Sequence, residues 1–333
     1  VVQADYNMEY LRYWKRKVSG GAILEGLPTS EAAFIVKELF NRAFKQKQTG
    51  GSNRYSSFFS HEALGTDYND HTNSSFSFTE RLLSSGFLFD YIDDEKENTF
   101  LKFFIEEDIL SKIKRENIGL AAISITAPSQ AIGAFTLGRL IKKRLKNVHV
   151  VIGGQWPSLY REELKKKPEW CRFFDSIIIF EGETPLYSLI SNLSGGKPLA
   201  SVPNLIYKNG KKWAQSEITS KESMDLLACP DFDGLPLSDY SAAERAGGIA
   251  LTFQTARECY WNKCVYCVDL PHPKQGYRER SVDLIVRDLR KMIAKYDMAY
   301  LEISNATMSP PQLRRLSEEI IQERWNFSWW CFV

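Results

Sequence analysis

Three cysteines crowd into one stretch of the chain, Arg257-Glu258-Cys259-Tyr260-Trp261-Asn262-Lys263-Cys264-Val265-Tyr266-Cys267-Val268-Asp269. Spaced by four and then two residues, they can turn three thiolates toward one small object. The other three of the six cysteines, Cys171, Cys229 and Cys331, are scattered. That distribution is foreign to a secreted disulfide framework and suits a metal site in a reducing, cytoplasmic compartment. Iron–sulfur clusters normally take four thiolates. Three ligands therefore leave one iron open, as catalytic metal sites keep a position open for substrate. Zinc is the competing occupant; it wants a fourth ligand, and His272 is near enough in sequence to serve. His61 and His71 have no partner at ligand spacing and read as loop or surface residues. Cys331, among tryptophans in an apolar strand, reads as core.

The elements that must position this loop are parallel strands. The loop follows the apolar segment Ile249–Gln254, and α/β folds place ligand sites at the C-terminal ends of such strands. Ser281 is a favoured N-cap for a helix with Val282, Ile285, Leu289, Met292 and Ile293 on one face. A strand over 299–304, a helix opened by Ser309-Pro310-Pro311 and a strand over 327–333 complete the pattern. Glu302, Ser304 and Asn305 end the second of these strands. Asn305 equally suits a cap or turn. A chain that stops inside an apolar strand is expected to be a truncated piece of a longer one.

Upstream, residues 118–124 form a continuous apolar run, expected as a strand covered on both faces. A helix follows, with Ile132, Phe135, Leu137, Leu140, Ile141 and Leu145 on its buried side. Next come a strand over 148–152, the turn Gly153-Gly154, a helix around 158–166 and a strand over 175–180. The turn Glu181-Gly182-Glu183 then leads into a helix from Thr184-Pro185. This alternation predicts parallel pairing with right-handed crossovers, hence a doubly wound α/β sheet. Residues 201–213 read as a small hairpin. The expected organisation is an α/β domain over 1–213 with a helical insertion at about 19–116. A polar link over 214–246 and the first part of a partial barrel over 247–333 follow.

Composition excludes several classes. Hydrophobic residues are 44% and charged residues 25% of 333, and 43 basic against 41 acidic residues leave a net charge of +2. Neither nucleic acid nor an anionic membrane is favoured by that balance. Lys142-Lys143-Arg144 and Lys165-Lys166-Lys167 are expected as solvated helix faces. No apolar run reaches the roughly 20 residues of a membrane span, and no signal peptide is visible at Val1-Val2-Gln3-Ala4-Asp5. No Gly-x-Gly-x-x-Gly opens a helix, and Ser191 stands where a P-loop before Gly196-Lys197 needs glycine.

The cysteine loop resembles the signature of the radical S-adenosylmethionine (SAM) superfamily, whose usual spacing is three then two residues rather than four then two. The resemblance implies a [4Fe-4S] cluster on Cys259, Cys264 and Cys267 whose open iron binds SAM. Reductive cleavage of SAM then yields a 5′-deoxyadenosyl radical that abstracts hydrogen from substrate. It implies Tyr266 beside the adenine, and Glu302 and Asn305 on the amino group or ribose of SAM. The domain in front is similar to that of the cobalamin (B12)-binding branch, in particular its peptide-modifying members. Ser124-Ile125-Thr126, Gly153-Gly154, Gly182-Glu183 and Pro230-Asp231-Phe232 carry that likeness. It implies cobalamin contacts at Ser124, Thr126, Gly153, Gly154, Gly182 and Glu183. No histidine has an aspartate two positions before it, so cobalt is left without an expected protein ligand. The branch implies C-methylation of a peptide, natural-product or other small-molecule substrate, and an electron donor such as flavodoxin or ferredoxin. Two other readings stay open: a radical SAM enzyme without working cobalamin, and a non-catalytic zinc-binding module.

Overall fold

The computed structural model describes residues 9, 12–13, 86–96, 98–127, 130–219, 222–239, 248–264, 267 and 276–333. They fall into two compact units that divide near residue 220.

The stretch expected as a helical insertion is described from Gly86 onward, as α1 (Phe87–Ile92), α2 (Thr99–Glu106) and α3 (Ile109–Arg115). Asn98 is wholly buried and caps α2, its side chain accepting from Leu101 N at 3.1 Å. Its amide nitrogen donates to Ile92 O and to Thr136 Oγ1, at 3.1 and 3.0 Å. One side chain thus satisfies an orphan donor of the helix start and ties three segments together.

The sheet of this unit holds β1 (Leu120–Ser124), β2 (His149–Gly153), β3 (Ser176–Ile178), β4 (Leu205–Asn209) and β5 (Lys212–Gln215), side by side in that order. The first three pair in parallel; β4 and β5 form the antiparallel hairpin expected from the sequence. Between β1 and β2 runs α4 (Ala131–Arg144), and between β2 and β3 run α5 (Gln155–Leu159) and α6 (Arg161–Lys166). The single helix expected near 158–166 is therefore two short ones. α7 (Glu183–Gly195) follows β3. These strands lie in chain order, so the reversal that a doubly wound sheet requires is not among the described residues. A second departure concerns β1. Its apolar run predicts cover on both faces, yet Ala122 and Ser124 are exposed. In the described sheet β1 is an end strand with β2 as its one neighbour, and small side chains let one of its faces stay open.

The core of the unit is aromatic. Phe135 lies 5.3–6.1 Å from Trp156, Trp170, Phe173 and Phe174, centroid to centroid. Such clusters bury large areas and favour tilted or edge contacts. Of the basic runs read as solvated faces, Lys143, Arg144 and Lys166 are exposed, whereas Lys142 and Lys165 are half-buried; Lys142 pairs with Asp175, Lys165 with Glu162 and Lys166 with Glu163.

In the second unit, β6 (Ile249–Phe253), β9 (Met298–Ile303) and β10 (Ser328–Trp330) form a parallel sheet in the order β10-β9-β6. Ahead of β9 stand the two-residue strands β7 (Ala256–Arg257) and β8 (Arg278–Glu279) and the helix α8 (Val282–Tyr296); α9 (Pro310–Gln322) joins β9 to β10. Leu251, Phe253, Leu301 and Ile303 share a buried cluster with Ile285, Leu289 and Leu316 of the helices. Alternation puts Thr252, Glu302 and Trp330, partners in one row across the three strands, on the opposite face. Thr252 and Trp330 there are exposed. Cys331 packs against the helix-side cluster, as its reading as core anticipates.

Ser309 caps α9 through its side chain, which accepts from Gln312 N at 3.3 Å. Ser281 does not cap α8 that way; its backbone N–H instead donates to Asp225 Oδ1 at 2.7 Å. The segment read as a polar link is fastened to this unit over 222–239. The Phe232 ring meets Tyr296 edge-on at 5.7 Å, and Tyr296 Oη accepts from Phe232 N and donates to Asp231 Oδ1, both at 2.9 Å. No helix of the described residues is long and apolar enough to cross a membrane.

Candidate functional site

The cysteine loop leaves the C-terminal end of β6 and is closed at its base. Antiparallel pairing sets Ala256 opposite Glu279 and Arg257 opposite Arg278, and Arg280 N donates to Thr255 O at 2.8 Å. Glu258 (φ 67°) and Asn262 (φ 45°) occupy the left-handed region. Asn tolerates that region; for Glu it is uncommon, and such residues gather where structure serves function. Cys267 N donates to Cys264 O at 3.3 Å, which brings the backbone of the second and third cysteines together. Tyr260 packs edge-on against Tyr277 at 5.7 Å, and Tyr277 Oη accepts from Ser309 N at 3.0 Å. Burial, reinforced by the neighbouring Glu279, pushes the Tyr277 phenol well above its ordinary range, so it stays protonated. The Lys263 ammonium lies 5.0 Å over the Trp261 ring.

All three cysteines of the loop are free thiols; Cys264 is exposed and Cys259 and Cys267 are half-buried. Among the described residues no three His, Cys, Asp or Glu side chains converge to metal-holding distance. The thiols share one loop tied at both ends, then, without being gathered on a point. As a donor set they fit a cluster that asks the protein for three thiolates. Tyr266 and His272 lie outside the described residues.

Glu302 stands half-buried on the open face of β9, between Thr252 and Trp330. Asn305 departs from the expectation of a SAM contact. It is 4% exposed, and its Oδ1 accepts from Thr255 N and Ala256 N at 2.9 and 3.0 Å. Its Nδ2 donates to Thr255 Oγ1 at 2.6 Å. Both lone-pair directions of the amide oxygen are used within the protein, which is the turn role that the sequence also allowed.

In the other unit, register brings the expected cobalamin-contacting residues to one end of the sheet. Ser124 is the parallel partner of Gly153, and Ile152 of Ile177, so Ser124–Thr126, Gly153-Gly154 and Gly182-Glu183 all follow strand C-termini. Ser124, Thr126 and Glu183 are exposed, and the three glycines half-buried. Gly154 has a structural duty here. At φ 103° and ψ −176° it holds a conformation open to glycine alone, and a Cβ on it would fall 2.5 Å from Ile125 O. It thus meets its own chain, whereas a Cβ on Gly153 would touch Ile178 O at an ordinary 3.5 Å. Two residues not anticipated from the sequence organise these loops. Gln130 Oε1 accepts from Thr126 N and Ala127 N, at 2.7 and 3.2 Å. Ser158, 1% exposed, donates to Gly154 O at 2.7 Å and accepts from Phe180 N at 2.8 Å, joining the loops after β2 and β3. Neither carries a sequence signal, because their partners are set by sheet register.

No protein-family model matches the chain. It is 28% identical over 225 residues to an uncharacterized methyltransferase from Pyrococcus horikoshii, an alignment covering 67% of this chain and 47% of that protein. The chain thus spans about half the length of the curated relative it matches. Among solved structures it is similar to a radical S-adenosylmethionine methyltransferase, TsrM, from Kitasatospora setae, bound to tryptophan substrate and a SAM analogue. That match has a TM-score of 0.52 and 17% identity, and covers 68% of this chain and 44% of the other. It is also similar to the cobalamin-dependent S-adenosylmethionine radical enzyme OxsB with aqua-cobalamin and SAM bound. Here the TM-score is 0.54 at 17% identity, with 74% of this chain and 35% of OxsB covered. Apo OxsB aligns over 99% of this chain and 54% of its own, with a TM-score of 0.51 and 14% identity. The mixed α/β fold with its parallel sheets resembles that of cobalamin-dependent radical SAM enzymes, and the resemblance read from the sequence holds at the level of fold.

Proposed function

We propose that this chain is the cobalamin-binding-type α/β domain and the leading part of the partial (β/α) barrel of a radical SAM enzyme. On this reading Cys259, Cys264 and Cys267 hold a [4Fe-4S] cluster, and methyl transfer to carbon of a peptide or other small-molecule substrate is the overall reaction. The observation that carries it is a loop of three free thiols at the C-terminal end of a parallel strand, closed at its base by β7 and β8.

When bound, the cluster supplies one electron for cleaving SAM, and cobalamin supplies the methyl group; the difficult chemistry belongs to the cofactors. The protein's own part is to bind, orient and exclude water. Three thiolates from one loop would leave one iron of the cluster open to the amino acid end of SAM. Glu302, on the open face of β9, would accept from the ammonium of SAM, and the adenine would be met by Tyr266, a role that rests on the sequence resemblance alone. The Asn305 amide oxygen and one of its Nδ2 hydrogens are already engaged at the strand–loop corner, which favours a structural role over that contact. Ser124, Thr126, Gly153, Gly154, Gly182 and Glu183, at the strand ends, would receive cobalamin. A flavodoxin or ferredoxin delivers the electron.

Reductive assay of the anaerobically reconstituted full chain tests this reading. With dithionite and SAM, 5′-deoxyadenosine and methionine are expected, and cobalt is expected to copurify or bind when hydroxocobalamin is added. Cleavage without cobalt binding would remove the cobalamin half. Equimolar zinc, with neither sulfide nor cleavage, would remove the whole.

A further inference from the structure

We infer that Asn305 and Gln312 are positioning residues that clamp both ends of the cysteine loop from beneath and so set how its thiols are presented. The inference rests on the reading that those thiols hold the cluster. It starts from five polar side chains that are all but sealed from solvent in the second unit: Thr255 (0%), Asp288 (0%), Arg280 (2%), Asn305 (4%) and Gln312 (4%). Buried polar groups are costly unless satisfied, and a connected set of them fixes one geometry. Here the connections converge on the residues that bracket the loop, Thr255 before it and Arg280 after it.

At the first end, Ser304 N donates to Phe253 O at 3.0 Å, the last backbone rung between β9 and β6. Beyond that rung the side chain of Asn305 takes over, accepting the next two donors, Thr255 N and Ala256 N. The amide cannot be reversed, because its NH2 group would then face two N–H groups. At the second end, Gln312 in the first turn of α9 donates to Arg280 O at 2.9 Å and to Thr255 O at 3.3 Å. It therefore bridges the two ends directly. Thr255 Oγ1 unites the pair, receiving from Asn305 Nδ2 and donating to Gln312 Oε1 at 3.2 Å. Arg280 is held in turn by Asp288, at 2.5 Å, and by the carbonyls of Met224 and Leu227. Gln312 also interrupts the apolar stripe Gln312, Leu316, Ile320 of α9, where packing alone would favour an aliphatic residue.

The test uses Asn305→Ala, the conservative Asn305→Asp and Gln312→Glu. Arg315→Ala is the control, since it removes an exposed ion pair to Asp283 on the same helix. In metal-free protein, hydrogen exchange should quicken by roughly tenfold or more at Thr255 and Ala256 in Asn305→Ala, with Leu301 in β9 unchanged. Asp keeps an acceptor for both amides, so Asn305→Asp should restore protection. Gln312→Glu removes both donated bonds and should loosen the loop as alanine at 305 does. After reconstitution, Asn305→Ala and Gln312→Glu should keep iron and sulfide yet lose or broaden the SAM-induced change in the EPR spectrum of the reduced cluster. Asn305→Asp and Arg315→Ala should retain it. Wild-type exchange and an unchanged EPR response in both Asn305→Ala and Gln312→Glu would overturn the inference. If Asn305→Ala instead unfolds the whole unit, Gln312→Glu decides by the same two readouts. Should wild-type protein hold no cluster, the functional reading fails, while exchange in the metal-free chain still decides the clamp.

Discussion

Replacing Gly154 by alanine should damage the first unit severely, while the same change one residue earlier should barely register. Gly154 combines φ 103° with ψ −176°, a region essentially reserved for glycine, where a side chain costs about 1–3 kcal/mol. Its Cβ would also sit 2.5 Å from Ile125 O and 2.9 Å from the Ile125 carbonyl carbon. Both are backbone atoms, so relief requires moving β1 away from the start of α5. Overpacking of that kind adds about 1–3 kcal/mol. Together the two effects put Gly154→Ala at about 2–6 kcal/mol. Gly153→Ala meets only an ordinary contact at 3.5 Å and should cost about 1 kcal/mol or less. Because the chain has two compact units, one spectroscopic transition would mix them, so hydrogen exchange of peptides covering β1 and β2 is the suitable assay. At about 1.4 kcal/mol per decade, those amides should exchange roughly thirtyfold or more faster in Gly154→Ala and within roughly fivefold of wild type in Gly153→Ala. Equal effects at both positions, or wild-type exchange in Gly154→Ala, would refute the claim that Gly154 answers to its own chain. A stable Gly153→Ala chain would, in addition, make any loss of cobalamin binding attributable to the cofactor surface alone.

Other consequences follow from buried charge and from titration. Arg280→Met leaves Asp288, fully buried, with only its exposed partner Arg287; breaking such a pair from one side costs about 3 kcal/mol or more. Hydrogen exchange of peptides covering α8 and β9 should show that loss in the second unit, and the double variant Arg280→Met/Asp288→Leu should recover part of it. His149 lies 2.7 Å from Ser176 Oγ, and burial holds its pKa below the ordinary histidine value. The unfolded chain then binds the proton more readily than the folded one. Its contribution is therefore complete above about pH 6.5 and declines as pH falls through that value toward the folded pKa. His149→Gln should flatten this limb of a stability-against-pH profile measured by urea unfolding; an unaltered limb would assign it elsewhere.

Much of this architecture could be read directly from residue patterns, for identifiable reasons. The strand at 249–253 and the helix at 282–296 carry clean apolar periodicity, and Ser309 with two prolines marks the start of α9 unambiguously. The cysteine spacing pointed to the loop and to its place at a strand end. Long-range register was the hidden part. Asn305 reads as an ordinary turn residue or a cofactor contact until β6 is set beside β9, which brings it under Thr255, fifty positions earlier. Gln312 does not stand out in the sequence at all, since its partners Thr255 and Arg280 lie far away along the chain. The run at 118–124 suggested a strand buried on both sides, and its small residues Ala122 and Ser124 instead leave one face open. The second glycine after β2 is also required by its own chain, which the sequence could not show because the conflict with Ile125 O depends on how β1 and α5 meet.

The thiol loop itself offers the sharpest check. Anaerobic wild-type chain loaded with iron and sulfide should hold about four of each per chain, turn brown, and give on reduction an EPR signal that SAM alters. Cys259→Ala, Cys264→Ala and Cys267→Ala should each lose the signal while the metal-free chain keeps its far-ultraviolet circular dichroism. A full cluster in any of the three variants, or a wild-type chain that takes up zinc and no sulfide, would contradict the account.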